Sequence, residues 1–236
     1  MSGCATSPAS ALSSMPLRWC WLGKISYAEG LSLQEKLAEA REKNLTEDTL
    51  LLLEHEAVFT AGRRAQASEI LWNEEELKRR GISVEPTDRG GKITYHGPGQ
   101  LVGYPIVHIE QRNIGVREWV ARIELALIDY LRTLGIDAKT ECGLPGVWVG
   151  KDKIGALGLH VSRGVSRHGF ALNLSPDLSA YEGIVACGIQ DRGNTSVQKL
   201  RGSAPAPKEA AEKISWIFAN RIGAKAGRIE TAALLK

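Results

Sequence analysis

A chain of 236 residues is one domain of generous size or a large domain with a small appendix, and 43% hydrophobic residues supply an ample core. A formal net charge of +3 is too mild for a nucleic-acid binder and fits at most a modest basic patch for an acidic partner. The four cysteines, Cys4, Cys20, Cys142 and Cys187, form no CxxC pair and no metal-ligand spacing, which argues against a zinc site or a disulfide framework and suits a reducing compartment.

Residues 1–16 read as a disordered leader and residues 17–236 as a single domain. The first 15 positions carry no charged side chain and are rich in Ser and Ala, unlike a secretory signal or an Arg-rich transit peptide. No apolar run approaches the length that spans a bilayer. A cytoplasmic monomer with no membrane contact is expected.

Along the chain, Leu33, Leu37 and Ala40 at helical spacing predict an amphipathic helix over residues 32–43. The apolar run at 49–53, just before Glu54 and His55, reads as a central strand, and residues 59–64 read as a loop. A charged helix is expected over 69–80, ended by Gly81. Residues 93–96 and the stretch from Gln100 to Tyr104 read as strands around a Gly97-Pro98-Gly99 turn. The clearest helix covers 117–134, with Trp119, Val120, Ile123, Leu127, Tyr130, Leu131 and Leu134 on one stripe and Gly135 stopping it. Residues 146–150 form a strand, and a last helix over 208–221 follows the Pro205 and Pro207 break. Strands and helices interleave without regular βαβ spacing, which predicts an α/β (α+β) chain: a mixed sheet with helices packed on it.

Two stretches carry chemistry. In residues 153–187, Leu157, Leu159 and Val161 alternate, and Phe170, Leu172 and Leu174 alternate again after a Ser-Arg-Gly-Val-Ser-Arg-His break. Period two about a turn predicts a β-hairpin with one buried face. Lys153 opens that hairpin, and Cys187 follows it between Ala186 and Gly188, small neighbours that leave a sulfur accessible. A free cysteine is most often a small buried hydrophobe, and a strand-end lysine is most often solvated. Brought together, the two are a nucleophile and its activating cation. The second stretch, RGGKITYHGPGQLVGY from Arg89 to Tyr104, crowds Arg89, His96 and Gln100 around glycines that let a ligand approach the backbone. A plain hairpin explains the glycines but not the polar residues. Neither a GxxxxGK[ST] phosphate loop nor a helix-opening GxGxxG is present.

Arg89-Gly90-Gly91 followed by Thr94-Tyr95-His96-Gly97-Pro98-Gly99-Gln100 and Tyr104 resembles the signature of the lipoyl(octanoyl) transferases. Glu54-His55 with residues 60–64 resembles that family's upstream block. The order is completed by residues 145–149, 153–158, 168–173 and Cys187-Gly188-Ile189. The resemblance covers roughly residues 17–203; Ala186 stands where the family commonly has proline.

The resemblance implies a catalytic domain with the fold of biotin and lipoate protein ligases. It implies transfer of an octanoyl group from octanoyl-acyl carrier protein to a lysine of lipoyl domains, those of 2-oxoacid dehydrogenases and the glycine cleavage H protein, as the first step of lipoate biosynthesis. By that likeness Cys187 is the acyl-thioester nucleophile and Lys153 its partner. The substrate pocket is implied at Arg89, Gly90, Gly91, Lys92, Ile93, Thr94, Tyr95 and His96, at Ala156, Leu157 and Gly158, and at Gly169, Phe170 and Ala171. Thioester exchange is nearly thermoneutral and aminolysis runs downhill, so neither ATP nor another cofactor is expected. His96 and His168 are candidates to orient the acyl carbonyl, and each reads equally well as a structural histidine. An ATP-dependent lipoate or biotin ligase, a lipoyl amidotransferase and a non-catalytic binder of acyl carrier protein are the rival readings.

Overall fold

The computed structural model describes residues 15–185 and 192–235. Most of residues 1–16, and Cys187 with its neighbours, therefore lie outside the described residues. Strand β1 (Pro16–Ile25) leads through helix α1 (Tyr27–Glu42) to strands β2 (Asp48–His55) and β3 (Val58–Ala61). Helix α2 (Glu74–Arg80) precedes β4 (Ser83–Pro86), β5 (Ile93–His96) and β6 (Gln100–Ile106). Helix α3 (Val116–Thr133) is followed by β7 (Lys139–Glu141), β8 (Leu144–Val149), β9 (Asp152–Ser162) and β10 (Val165–Asn173). Two helices, α4 (Val197–Arg201) and α5 (Pro207–Arg221), and strand β11 (Lys225–Arg228) end the chain.

Eight strands form one mixed sheet in the order β11-β1-β2-β6-β10-β9-β8-β7, and β4-β3-β5 form a small second sheet. The large sheet is covered on both faces, which explains why Leu50 to Leu53 are all apolar and all without exposure. Leu50 and Leu52 join the core under α3 and α5, whereas Leu51 and Leu53 pack beneath α1 with Leu37 and Ala38. Each such side chain stabilises the fold by roughly 1.5–3 kcal/mol relative to leaving it in water. Trp119 of α3 meets Phe218 of α5 edge-on, ring centroids 5.7 Å apart. Gly135, with φ +72°, follows α3 as the predicted stop.

Several boundaries differ from the sequence reading, each for a local reason. Helix α1 begins at Tyr27, not Ser32, because Ser26 and Glu29 form a reciprocal capping box. Residues 58–61 are not loop but strand β3, paired with both β4 and β5. The expected helix over 69–80 starts only at Glu74, where Asn73 caps the Glu76 N–H at 2.9 Å; upstream, Ile70 bridges to Ile184. The glycine turn at 97–99 does not close a hairpin. It carries the chain from β5 in the small sheet to β6 in the large one. The β9–β10 hairpin is present, but its turn is only Arg163 and Gly164, both with positive φ, as a two-residue primed turn requires. Its apolar face is softer than expected, since Leu157, Leu159 and Val161 are only partly buried.

Candidate active site

A pocket of about 270 Å³ opens where the two sheets meet α1 and the β7–β8 turn. Strands β9 and β10 build one wall, with Ala156, Leu157 and Gly158 directly opposite Ala171, Phe170 and Gly169 in the ladder. Arg89, Gly91, Lys92, Ile93, Thr94 and His96 build another. Lys153 lines the pocket as well, together with Gly143, Leu144 and Pro145.

Of the residues singled out from sequence, Gly90 and Tyr95 are not in the lining. Gly90 ties the loop to β9, its N–H donating to the Leu159 carbonyl at 2.9 Å. Tyr95 projects into the small sheet's core, with ring centroids 6.0 Å from Phe59 and 5.6 Å from Tyr181. Tyr27, Arg64 and Tyr104 are lining residues beyond the sequence assignment, and His168, named from sequence only as a candidate to orient the acyl carbonyl, lines the pocket too. Tyr27 escaped because the first helix was read five residues short. Tyr104 stood within the quoted motif without a pocket role.

Arg89 is the brace of this wall. Its guanidinium donates to the Thr60 carbonyl at 2.5 Å, the Thr60 hydroxyl at 2.8 Å and the Gly90 carbonyl at 3.0 Å. Gly158 leaves room for it: a Cβ there would stand 2.9 Å from Arg89 Cδ. The Arg63 and Arg64 amides donate to the Arg89 and Gly91 carbonyls at 3.1 Å, which holds two exposed arginines beside the pocket.

A cluster of neutral histidines underlies the pocket. His55 Nδ1 lies 3.1 Å from the Ile25 carbonyl, which can only accept, so Nε2 accepts the Tyr104 hydroxyl at 2.6 Å. Burial lowers its pKa to about 4. His96 donates through Nδ1 to Gln100 Oε1 at 2.7 Å, and burial, with His55 nearby, lowers it to about 3. His168 Nε2 donates to Asp88 Oδ1 at 2.6 Å; burial outweighs that carboxylate and lowers His168 to about 4. Partial burial opposes ionisation of Asp88, but His168, Arg167 and His160 hold it below the ordinary carboxylate value. His168 sits at φ +56°, a conformation that costs a side chain of this size about 1–3 kcal/mol, with its N–H fixed to Gln34 Oε1 at 2.7 Å. His96 and His168 thus line the pocket and also hold structural bonds.

The residues that flank segment 186–191 connect to the lining, one through Glu69 and one directly. On the entry side, the Val185 N–H donates to the Glu69 carbonyl at 2.8 Å, and the Glu69 carboxylate accepts from Lys92 Nζ. On the exit side, the Lys153 N–H donates to the Gly193 carbonyl at 2.9 Å, and Thr195 donates back to the Lys153 carbonyl at 2.9 Å. Asn173 extends the tie by donating to the Thr195 carbonyl at 3.0 Å while accepting from Gln100. Lys151, two residues before Lys153, is exposed in the turn and outside the lining. Cys142 is exposed, whereas Cys20 is buried and desolvation raises its thiol pKa. Among the described residues no group of three or more His, Cys, Asp or Glu side chains could hold a metal ion, and no helix is long and apolar enough to cross a membrane.

Comparison with known proteins agrees with this architecture. The chain resembles solved lipoate protein ligases in fold: that of Thermoplasma acidophilum, solved as a bipartite enzyme, has a TM-score of 0.73 at 17% identity, covering 94% of this chain and 89% of that one. The biotin protein ligase of Aquifex aeolicus in complex with biotin and ATP has a TM-score of 0.54 at 15% identity, covering 88% of this chain and 70% of that one. Sequence similarity is much higher to octanoyltransferases. The one from Alkaliphilus metalliredigens is 48% identical over 182 residues, covering 77% of this chain and 84% of the relative. The one from Solibacter usitatus is 49% identical over 198 residues, covering 84% and 89%. The sequence model of the lipoyl protein ligase A/B catalytic domain matches residues 26–219. The chain therefore belongs to the lipoyl protein ligase A/B catalytic-domain family, shares 48% and 49% identity with two octanoyltransferases, and is a transferase enzyme.

Proposed function

We propose that this enzyme moves an octanoyl group from octanoyl-acyl carrier protein to a lysine of lipoyl domains through a thioester on Cys187. The observation that carries the reading is the pocket itself: Lys153 and three separate sequence blocks line one cavity, and of the residues that bracket the cysteine's segment Gly193 is bonded to Lys153 while Val185 reaches Lys92 through Glu69. The family's octanoyltransferases supply the reaction class.

In the first half-reaction the Cys187 thiolate attacks the thioester carbonyl carbon, and the carrier thiol leaves. The cationic Lys153 favours the thiolate and supplies the proton that the departing sulfur takes up. In the second, the lipoyl-domain amine attacks the enzyme thioester, and the now neutral Lys153 accepts the proton that the nitrogen loses. Arg89, with Ala156 to Gly158 and Gly169 to Ala171, forms the walls against the acyl chain and the carrier's prosthetic arm. No ATP enters, because every bond exchanged is thioester for thioester or thioester for amide. We place this activity in one catalytic domain, acting as a monomer in the cytoplasm.

The test is acyl transfer to a purified lipoyl domain from octanoyl-acyl carrier protein without nucleotide, set against free octanoate with ATP. Transfer from the carrier alone, lost in Cys187→Ser, is expected. Product formed only from free acid and ATP, unaffected by Cys187→Ser, would instead make the chain a ligase. Donor binding without any transfer would leave it a binding module.

A further inference from the structure

Lys153 lies against an aromatic ring. Its Nζ stands 4.6 Å from the centroid of the Trp148 indole, and the same ring carries the Arg192 guanidinium at 4.9 Å. Trp148 is 1% exposed, and its Nε1–H donates to the Leu144 carbonyl at 3.2 Å, so the ring's orientation is locked within β8. Arg192 is the first described residue after the cysteine's segment, and it is held from the far side by Glu141 of β7 at 3.3 Å. Two cations on one ring repel each other. A packing requirement alone would be met by any large apolar side chain, whereas an indole face attracts both.

The strand arranges this contact. Val147 pairs with Gly155 and Trp148 with Lys153, leaving Ile154 as an extra residue in β9. That bulge re-aims the side chains before it. Among the described residues, charges near the lysine include Glu124 of α3, whose ionised form Lys153 favours against the effect of burial, and the adjacent Asp152, which accepts the Gly193 N–H at 3.2 Å. Glu124 is anchored by the Gly146 N–H at 2.8 Å, and a Cβ on Gly146 would stand 3.1 Å from Lys153 Cε.

We propose that Trp148 is a positioning residue for the transfer reaction: its indole holds the Lys153 ammonium and the Arg192 guanidinium together, so that one rigid ring sets the lysine relative to the exit of the cysteine's segment. The inference rests on the Cys187–Lys153 reading above. Trp148 acts through Lys153. It acts by keeping the ammonium where it stabilises the thiolate.

The test follows the rate of Cys187 alkylation by iodoacetamide across pH, quantified by peptide mass spectrometry, in the full-length wild type and in Trp148→Leu, Trp148→Phe and Lys153→Ala, with melting temperatures measured alongside. Lys153→Ala is expected to move the profile to higher pH. Trp148→Leu should move it the same way by less, slowing alkylation near neutral pH about fivefold, the size of a cation–π contact of ordinary strength. Trp148→Phe, which keeps a weaker π-face, should fall between. A shifted Lys153→Ala profile with an unshifted Trp148→Leu profile, whatever its melting temperature, overturns the inference alone. An unshifted Lys153→Ala profile overturns the dyad and the inference together. Where Trp148→Leu does not fold, Trp148→Phe decides: a shift of about twofold supports the positioning role, and none refutes it.

Discussion

The three buried histidines beneath the pocket make the fold acid-sensitive well above the carboxylate range. His55, His96 and His168 are at most 7% exposed, and burial lowers them to about 4, 3 and 4 from an ordinary value of 6.5. Lowered folded-state values mean that the unfolded chain binds more protons below pH 6.5, so stability is full above that value and is lost as pH falls toward the folded-state values. At pH 5.5 each histidine contributes a loss of about 1.3 kcal/mol relative to pH 7.5, so the three together remove about 4 kcal/mol. That is a large share of the roughly 5–15 kcal/mol that holds a domain together. Glu124, raised by burial, works in the opposite direction. Urea unfolding at pH 7.5, 6.5 and 5.5 reads the slope. His55→Asn should cost stability at pH 7.5 and flatten the slope by about one third. A stability that stays level from pH 7.5 to 5.5, or a slope unchanged in His55→Asn, would refute the assignment of these rings as buried and neutral.

Other consequences are local. Lys153→Ala should impair both half-reactions in single-turnover experiments, and high pH should recover only the first; Lys153→Arg should rescue the first better than the second, because arginine keeps the charge but cannot act as a base. Lys151→Ala, in the exposed turn, should stay near wild type, and an equal loss there would end the dyad. Reversing the charge of exposed Arg63 and Arg64 should slow association with the acidic carrier, with an effect that shrinks as salt rises; an unchanged low-salt rate would remove these arginines from docking. Gly158→Ala should displace Arg89 from Thr60 and cost about 1–3 kcal/mol of stability. It should also raise the KM for octanoyl-carrier, and wild-type melting with wild-type KM would contradict the close packing drawn here.

The large sheet was legible where patterning was strong. Residues 50–53 read as a central strand because both faces of β2 are buried, and the stripe on α3 read as a helix because only one of its faces is. The small sheet was not, because β3 spans four residues and runs straight into Gly62-Arg63-Arg64, whose composition is that of a loop. Its pairing with β4 and β5 arises between distant segments, which no local pattern records. The pocket was legible as motifs but not as a shape. Tyr27 reaches it only because Ser26 caps α1 earlier than the apolar spacing suggested. Tyr95, inside a motif, packs instead in the small sheet's core against Phe59 and Tyr181. Lys153 and Lys151 could not be separated by strand period, and the turn that exposes Lys151 separates them in the structure.

The central claim is a covalent one, and peptide mapping tests it most directly. The enzyme would be mixed with octanoyl-acyl carrier protein in the absence of an acceptor, digested, and searched for the acyl group. One octanoyl group on the peptide containing Cys187 is expected, discharged when a lipoyl domain is added. Cys20 is buried with a raised thiol pKa and should remain unlabelled, which leaves exposed Cys142, and Cys4 outside the described residues, as the competitors. Label on Cys142 or Cys4, or turnover that continues with no acylated cysteine, would contradict the account.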